Sequence, residues 1–177
     1  MAFAFLIVDD DADVLKAAAL ALAGPQARVE VAPSPQGIEE RAAGCDAVLL
    51  DMNFAIGDRS GGEGLSVLAR LKAAEPERSV VLMTTFGGVS LAVDALKAGA
   101  DDFILKPWRN QALEAAMTKA AHATRSRRAE AGLTLDEIER RAIVRALSAN
   151  GGNVSRAAKM LGLTRPALYR RLERHGL

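Results

Sequence analysis

Cysteine is almost absent. Cys45 stands alone, so no disulfide can form within the chain, and its place beside an apolar run suits a small buried side chain. Long hydrophobic runs are missing as well. Nothing approaches the roughly 18 apolar residues that a membrane span needs. The opening Met-Ala-Phe-Ala-Phe-Leu-Ile-Val, followed by three aspartates, lacks the basic start and small-residue cleavage site of a secretory signal. These absences predict a cytoplasmic protein without membrane contact. His122 and His175 are the only histidines; each falls alone on a predicted helix, and no nucleophile-base pair is visible.

What is present is an apolar half, rich in alanine, leucine and valine, enough for one ordinary domain and a small second one. The net charge of +1 hides a strong asymmetry. Residues 1–124 hold 11 Lys and Arg against 17 Asp and Glu, a net of −6, whereas residues 125–177 hold 12 against 5, a net of +7. An acidic body precedes a basic tail. Opposite signs of this size suit an inhibitory docking of one on the other.

Short apolar runs alternate with longer amphipathic stretches through the first 124 residues. Residues 3–8, 28–31, 47–50, 79–83 and 102–105 are predicted strands; residues 11–23, 35–43, 62–74, 88–98 and 109–127 are predicted helices. That order predicts an α/β fold, a doubly wound sheet of five parallel strands with helices on both faces. The basic stretch 125–132 carries no strand signal and is predicted as a linker, with Gly132 able to end the fifth helix. Residues 133–177 predict a small all-α domain, with helices at about 134–149, 154–161 and 165–174 separated by Gly151-Gly152 and Gly162-Leu163-Thr164.

Ligands of such sheets gather at the carboxyl ends of the strands. Asp9 and Asp10 fall at the end of the first predicted strand, Asp51 at the end of the third, Thr84 at the end of the fourth and Lys106 at the end of the fifth. Three converging carboxylates require a cation, and a hard, oxygen-seeking ion such as Mg²⁺ is the natural one. Lys106 can bring a positive charge to the same edge and Thr84 a hydroxyl. Any one of these residues alone would read as a solvated strand end; five at successive strand ends read as a site.

The residues carrying this pattern are Val-Asp-Asp at 8–10, Leu-Leu-Asp at 49–51, Met-Thr at 83–84 and Gly-Ala-Asp-Asp-Phe-Ile-Leu-Lys-Pro at 99–107. Together they resemble the flavodoxin-like receiver domain of two-component response regulators, over about residues 3–124. Thr84 precedes Phe103 by 19 residues and Lys106 by 22, as in that family's switch. The resemblance implies that Asp51 accepts a phosphoryl group from a histidine kinase. It further implies that Asp9, Asp10, Asp51 and the backbone carbonyl of Asn53 hold Mg²⁺, that Lys106 and Thr84 hold the phosphoryl oxygens, and that Thr84 and Phe103 form the switch. The loop after Asp51 is about five residues longer than the family's usual loop and lacks its proline, a form similar to some receivers of NtrC-type regulators. Asp58 within it reads either as a further metal-site carboxylate or as an exposed loop side chain.

In the basic tail, Asn153 and Thr164 are predicted N-caps of two short helices, with Gly162 turning the chain between them. That arrangement predicts a helix-turn-helix. Ala157, Ala158, Leu161, Leu163, Leu168 and Leu172 supply its inner face and leave Arg165, Pro166, Tyr169, Arg170, Arg171 and Arg174 outside. Outward arginines suit phosphate neutralisation and guanine contact on double-stranded DNA; a solvated helix in a protein-binding bundle is the alternative. Arg165, in the first turn, is the candidate base reader, and Asn153, Arg156, Arg170, Arg171 and Arg174 are candidate phosphate holders. Thr164 and Tyr169 complete the candidate DNA-binding set.

This segment is similar to the Fis-type helix-turn-helix that closes NtrC-family activators, over about residues 133–177. The resemblance implies a homodimer contact through the preceding helix, where Ile138, Ile143, Val144 and Leu147 are apolar, and a roughly palindromic DNA site. The ATPase domain of those activators, with its Gly-x-x-x-x-Gly-Lys-Ser/Thr loop, does not occur between the two modules. In architecture the chain resembles the short RegA or PrrA-type regulators. No enzyme activity beyond the receiver's own phosphoryl transfer and dephosphorylation is expected. The expected function is phosphorylation-dependent transcription regulation; the alternative is a phosphorelay or protein-interaction element with weak or no specific DNA binding.

Overall fold

The computed structural model describes residues 2–54, 62–85 and 89–177, with the side chains of 89–91 outside that description. The apolar runs form strands β1 (Phe3–Val8), β2 (Ala27–Ala32), β3 (Ala47–Asp51), β4 (Ser79–Thr84) and β5 (Asp102–Leu105). Helices α1 (Ala12–Leu22), α2 (Ile38–Arg41), α3 (Gly62–Ala74), α4 (Val89–Lys97) and α5 (Asn110–Ala131) alternate with them. All four strand pairings are parallel, in the order β2-β1-β3-β4-β5.

Strands β3 and β4 are buried along their whole length, because helices cover both faces of the sheet. Alternate side chains feed two cores. Leu6, Val48, Leu50 and Leu82 pack with Ile38, Leu68, Leu71 and Ala95 on the face of α2, α3 and α4. Ile7, Leu49, Val81 and Met83 pack with Leu15, Ala18, Leu113 and Met117 on the face of α1 and α5. The strand order reverses between β1 and β3, so the loops leaving these strands diverge to opposite faces and open a crevice at their carboxyl ends.

Two helices depart from expectation. Helix α2 is four residues long instead of spanning 35–43, because Gly37 directly before it takes a φ of +62°, a left-handed conformation that no helix can incorporate. Helix α5 runs on to Ala131, through the stretch read as a linker, and the chain divides into compact units Met1–Arg128 and Ala129–Leu177. The arginines of that stretch are bound along the amino-terminal edge of the sheet. Arg125 pairs with Asp46 at 2.6 Å and lies over the Phe3 ring at 4.3 Å. Arg127 pairs with Asp101 and donates to Ser79 Oγ at 3.2 Å. Arg128 donates to Glu75 at 2.5 Å and to the Cys45 carbonyl at 2.8 Å. Thr124 Oγ1 accepts from the Ser79 N–H at 2.8 Å.

Drawing the boundary at Arg128 moves three cations into the acidic body. Residues 1–128 then hold 14 basic against 17 acidic side chains, a net of −3, and residues 129–177 hold 9 against 5, a net of +4. The asymmetry on which an inhibitory docking would draw is about half the expected size.

The second unit comprises α6 (Leu135–Ala149), α7 (Val154–Met160) and α8 (Arg165–His175). Thr134 and Glu137 close a capping box at the start of α6. Asn153 accepts from the Arg156 N–H at 3.1 Å and Thr164 from the Ala167 N–H at 3.4 Å, so both act as N-caps. Gly162, at φ +67°, turns the chain between α7 and α8. Ile143, Ala146, Ala157, Ala158, Leu168 and Leu172 form the core, the alanines permitting close approach of the helices. Among the described residues, no helix is long and apolar enough to cross a membrane.

Burial acts to raise the carboxyls of Asp46, Asp101 and Glu75, but the hydrogen bonds and charges of their basic partners outweigh it and hold all three below their ordinary values. A depressed carboxyl binds fewer protons folded than unfolded. Its stabilisation is therefore complete at neutral pH and is lost as the pH falls through about 4 and below. Asp46→Asn should lower stability by about 1–3 kcal/mol at pH 7, and the gap to the parent chain should close towards pH 3; urea melts at the two pH values measure both.

Candidate functional site

Parallel pairing sets the carboxyl ends of β1, β3, β4 and β5 on one edge, and the candidate residues follow. Asp9 directly follows β1, Asp51 ends β3, Thr84 ends β4 and Lys106 directly follows β5. The Lys106 Nζ lies 2.5 Å from Asp9 Oδ2 and 2.7 Å from Asp51 Oδ1, bridging two carboxylates that arrive from neighbouring strands. Asp9, Asp51 and Thr84 are fully or almost fully buried, whereas Asp10 is exposed. Two backbone amides fix the carboxylates: Asp11 N–H donates to Asp9 Oδ1 at 3.0 Å and Asn53 N–H to Asp51 Oδ2 at 2.8 Å. The Asn53 side-chain amide reaches Thr84 Oγ1 at 3.4 Å, which joins the loop after β3 to the end of β4.

Burial raises the Asp9 carboxyl, and the Asp51 charge adds to this against the pull of Lys106 and the Asp11 amide. Burial acts to lower the Lys106 ammonium, but hydrogen bonds and charges from Asp51 and Asp9 prevail and raise it. Lys106 is thus a firmly held cation. One oxygen from each of Asp9, Asp10 and Asp51 lies within 4.8 Å of the others. Three carboxylates against one ammonium leave an excess of negative charge in an all-oxygen donor set, the chemistry that suits a hard divalent ion. Mg²⁺ fits the chemistry of these residues, of which Asp10 is the exposed one. Phe103 is partly buried against the core on the α3 side of the sheet. Asp58 lies outside the described residues.

Gly64 has a part here that the sequence reading missed. Its N–H donates to the Met52 carbonyl at 3.1 Å, and a Cβ on it would stand 2.5 Å from Met52 Cα and 2.8 Å from Met52 O. The start of α3 is pressed against the backbone next to Asp51, and only glycine fits. The Gly-Glu-Gly run at the start of the predicted helix 62–74 was the available signal.

In the second unit, the outward side chains of α8 divide in two. Arg171 Nε donates to Glu139 on α6 at 2.6 Å; Arg174 also pairs with Glu139, and His175 lies 3.0 Å from the same carboxylate. Arg171 and Arg174, expected on the outer face as candidate phosphate holders, thus share one acidic residue on the preceding helix. Glu139, beside Arg140 and Arg141, gave no sequence sign of this. Arg156, Arg165 and Arg170 are exposed and make no ion pair with the described residues. The side-chain oxygens of Asn153 and Thr164 are engaged as caps, leaving the Asn153 amide hydrogens and the Thr164 hydroxyl hydrogen to donate outward.

Comparison with known proteins agrees with this geometry. Residues 5–118 match the family described as the response regulator receiver domain, and residues 134–175 match the bacterial regulatory protein, Fis family. The chain belongs to the response regulator receiver family. It is 35% identical over 136 residues to the transcriptional regulatory protein ZraR of Salmonella typhimurium, covering 71% of this chain and 28% of that one; the chain thus spans little more than a quarter of the first curated relatives it matches. It is 28% identical over 165 residues to the photosynthetic apparatus regulatory protein RegA of Rhodovulum sulfidophilum, covering 93% of this chain and 88% of that one. The crystal structure of NtrX from Brucella abortus superposes with a TM-score of 0.63 at 28% identity, covering 82% of this chain and 35% of that one.

Gly64→Ala should force α3 away from Met52 and cost about 1–3 kcal/mol, read from the midpoint of chemical denaturation. Gly24→Ala, whose Cβ would meet nothing within 4 Å, serves as the neutral control.

Proposed function

We propose that this chain is a cytoplasmic transcription regulator switched by phosphorylation: a histidine kinase phosphorylates Asp51, and the phosphorylated chain binds double-stranded DNA as a homodimer through α7 and α8. The observation that carries the reading is the bridge of Lys106 between Asp9 and Asp51 beside a third carboxylate, in one chain with a helix-turn-helix whose Arg156, Arg165 and Arg170 are exposed.

The chemistry follows from the residues present. An Asp51 carboxylate oxygen attacks the phosphorus of a phosphohistidine; the P–N bond breaks, the imidazole leaves with the bonding pair and takes up a proton, and Asp51 becomes an acyl phosphate. A carboxylate needs no general base for this step. Mg²⁺ held by Asp9, Asp10, Asp51 and the Asn53 carbonyl would neutralise charge on the phosphoryl oxygens. Lys106, 2.7 Å from Asp51 Oδ1, supplies a fixed positive charge to the same oxygens. The Thr84 hydroxyl, drawn to the phosphoryl group, releases the space into which Phe103 turns, and the surface around β5 changes. On the second unit, Arg165 in the first turn of α8 reads a base, while Arg156 and Arg170 hold phosphates. Leu135 and Ile138 of α6 are exposed apolar side chains, which supports a homodimer through this helix.

Selection on genomic DNA fragments at physiological salt, before and after acetyl phosphate with Mg²⁺, tests the reading. A roughly palindromic site whose enrichment rises on phosphorylation, and does not rise in Asp51→Asn, is the expected result; no enrichment in any state would overturn it. The two classes of α8 arginine separate in the same assay. Arg170→Ala should weaken binding and reduce the salt slope by about 0.9 for the lost phosphate contact. Arg171→Ala should leave the slope unchanged and instead destabilise the unit by about 0.2–1 kcal/mol, because Glu139 keeps Arg174 and His175 as partners.

A further inference from the structure

On the exposed face of α8, Arg165 and Tyr169 stand one turn apart, the spacing at which helix side chains meet. The Arg165 Nη2 donates to the Tyr169 hydroxyl at 3.2 Å, and the guanidinium carbon lies 5.5 Å from the ring centroid. Both side chains are exposed, so burial does not force the contact, and Arg165 has no acidic partner among the described residues. Tyr169 is the only tyrosine in the chain. It is placed where a solvated helix would carry any polar residue at no cost.

We infer that Tyr169 is a positioning residue for Arg165, holding its guanidinium in place on the exposed face of α8 so that it meets a guanine already oriented. The inference rests on the DNA-binding reading above and deepens it. A free arginine surrenders rotamer freedom when it is fixed; a neighbour that restricts it beforehand removes part of that cost from binding. The hydrogen bond to tyrosine uses one of the two protons on Nη2. The second, together with a proton on Nη1, remains for the paired O6 and N7 acceptors of guanine in the major groove. The ring adds a cation–π contact and shields one side of the guanidinium from water. Tyr169 thereby acts on sequence discrimination through Arg165, whereas a tyrosine that bonded phosphate itself would strengthen every sequence alike.

The test is a double-mutant cycle on the full chain, phosphorylated, against the selected site and a set of single-base variants of it. Arg165→Ala should relax preference at one base pair by about 10- to 100-fold. Tyr169→Phe should reduce affinity for the selected site by about 3- to 10-fold and lower discrimination at that same base pair only, with the salt slope unchanged. Tyr169→Leu, which also loses the ring contact, should do more than Tyr169→Phe. In the Arg165→Ala background both tyrosine substitutions should have no further effect. Equal weakening on all sequences, or an undiminished effect of Tyr169→Phe without Arg165, would overturn the positioning role while leaving DNA binding intact. If the parent chain selects no site at all, the DNA-binding reading and this inference fall together. Unchanged thermal melting of Tyr169→Phe secures the comparison.

Discussion

The Lys106 ammonium between Asp9 and Asp51 is the contact on which the receiver unit turns. Two carboxylates buried at neighbouring strand ends would repel each other, and neither has the water that solvates an exposed acid. A single cation, delivered from the far end of β5 across β4 and β3, makes the arrangement tolerable. Removing Lys106 would leave two buried carboxylates with no cation between them, whereas removing either carboxylate leaves one ion pair, so Lys106 is the member that the arrangement cannot lose. Parallel topology is what makes this possible: it brings the carboxyl ends of strands that are 40 to 100 residues apart in the chain onto one edge.

The opposite edge of the sheet obeys the same physics with the sign reversed. There Asp46, Asp101 and Glu75 meet Arg125, Arg127, Arg128, Lys72 and Arg78, so cations exceed anions and every acid is held ionised. An edge with its acids so paired has no call for a further cation and serves as structure, fastening the last turns of α5 across the starts of β1, β3 and β4. The carboxyl edge keeps an excess of acid over base and is the edge at which a divalent cation has something to bind. The difference between a structural and a reactive charge cluster lies in this residual sign, not in the number of ion pairs.

The receiver's site was legible in the sequence because its signals are local. Val-Asp-Asp, Leu-Leu-Asp and Leu-Lys-Pro each mark a strand end by an apolar run giving way to a charge, and the alternation of strands and helices leaves few ways to assemble them. What escaped were features decided by tertiary partners. A run such as Arg125-Ser-Arg-Arg reads as a solvated linker unless one knows that Asp46, Glu75 and Asp101, 25 to 80 residues earlier, wait for it. Gly64 likewise reads only as a weak helix former in the first turn of a predicted helix until Met52 is placed against it. Periodicity reports the face of an element; it does not report which distant charge that face will meet.

The same limit governs the second unit. Counting basic residues in the tail overstates the charge open to a polyanion, because Glu139 absorbs Arg171 and Arg174 in the packing of α6 against α8. Those pairs restrain the helix that presents Arg165 and Arg170, and a rigid helix is what a base-reading side chain requires. Charge spent on internal pairing is therefore not lost to recognition. On the proposed DNA-binding reading, it would convert a diffuse attraction, which serves any sequence, into a fixed arrangement of a few exposed arginines able to distinguish one sequence from another.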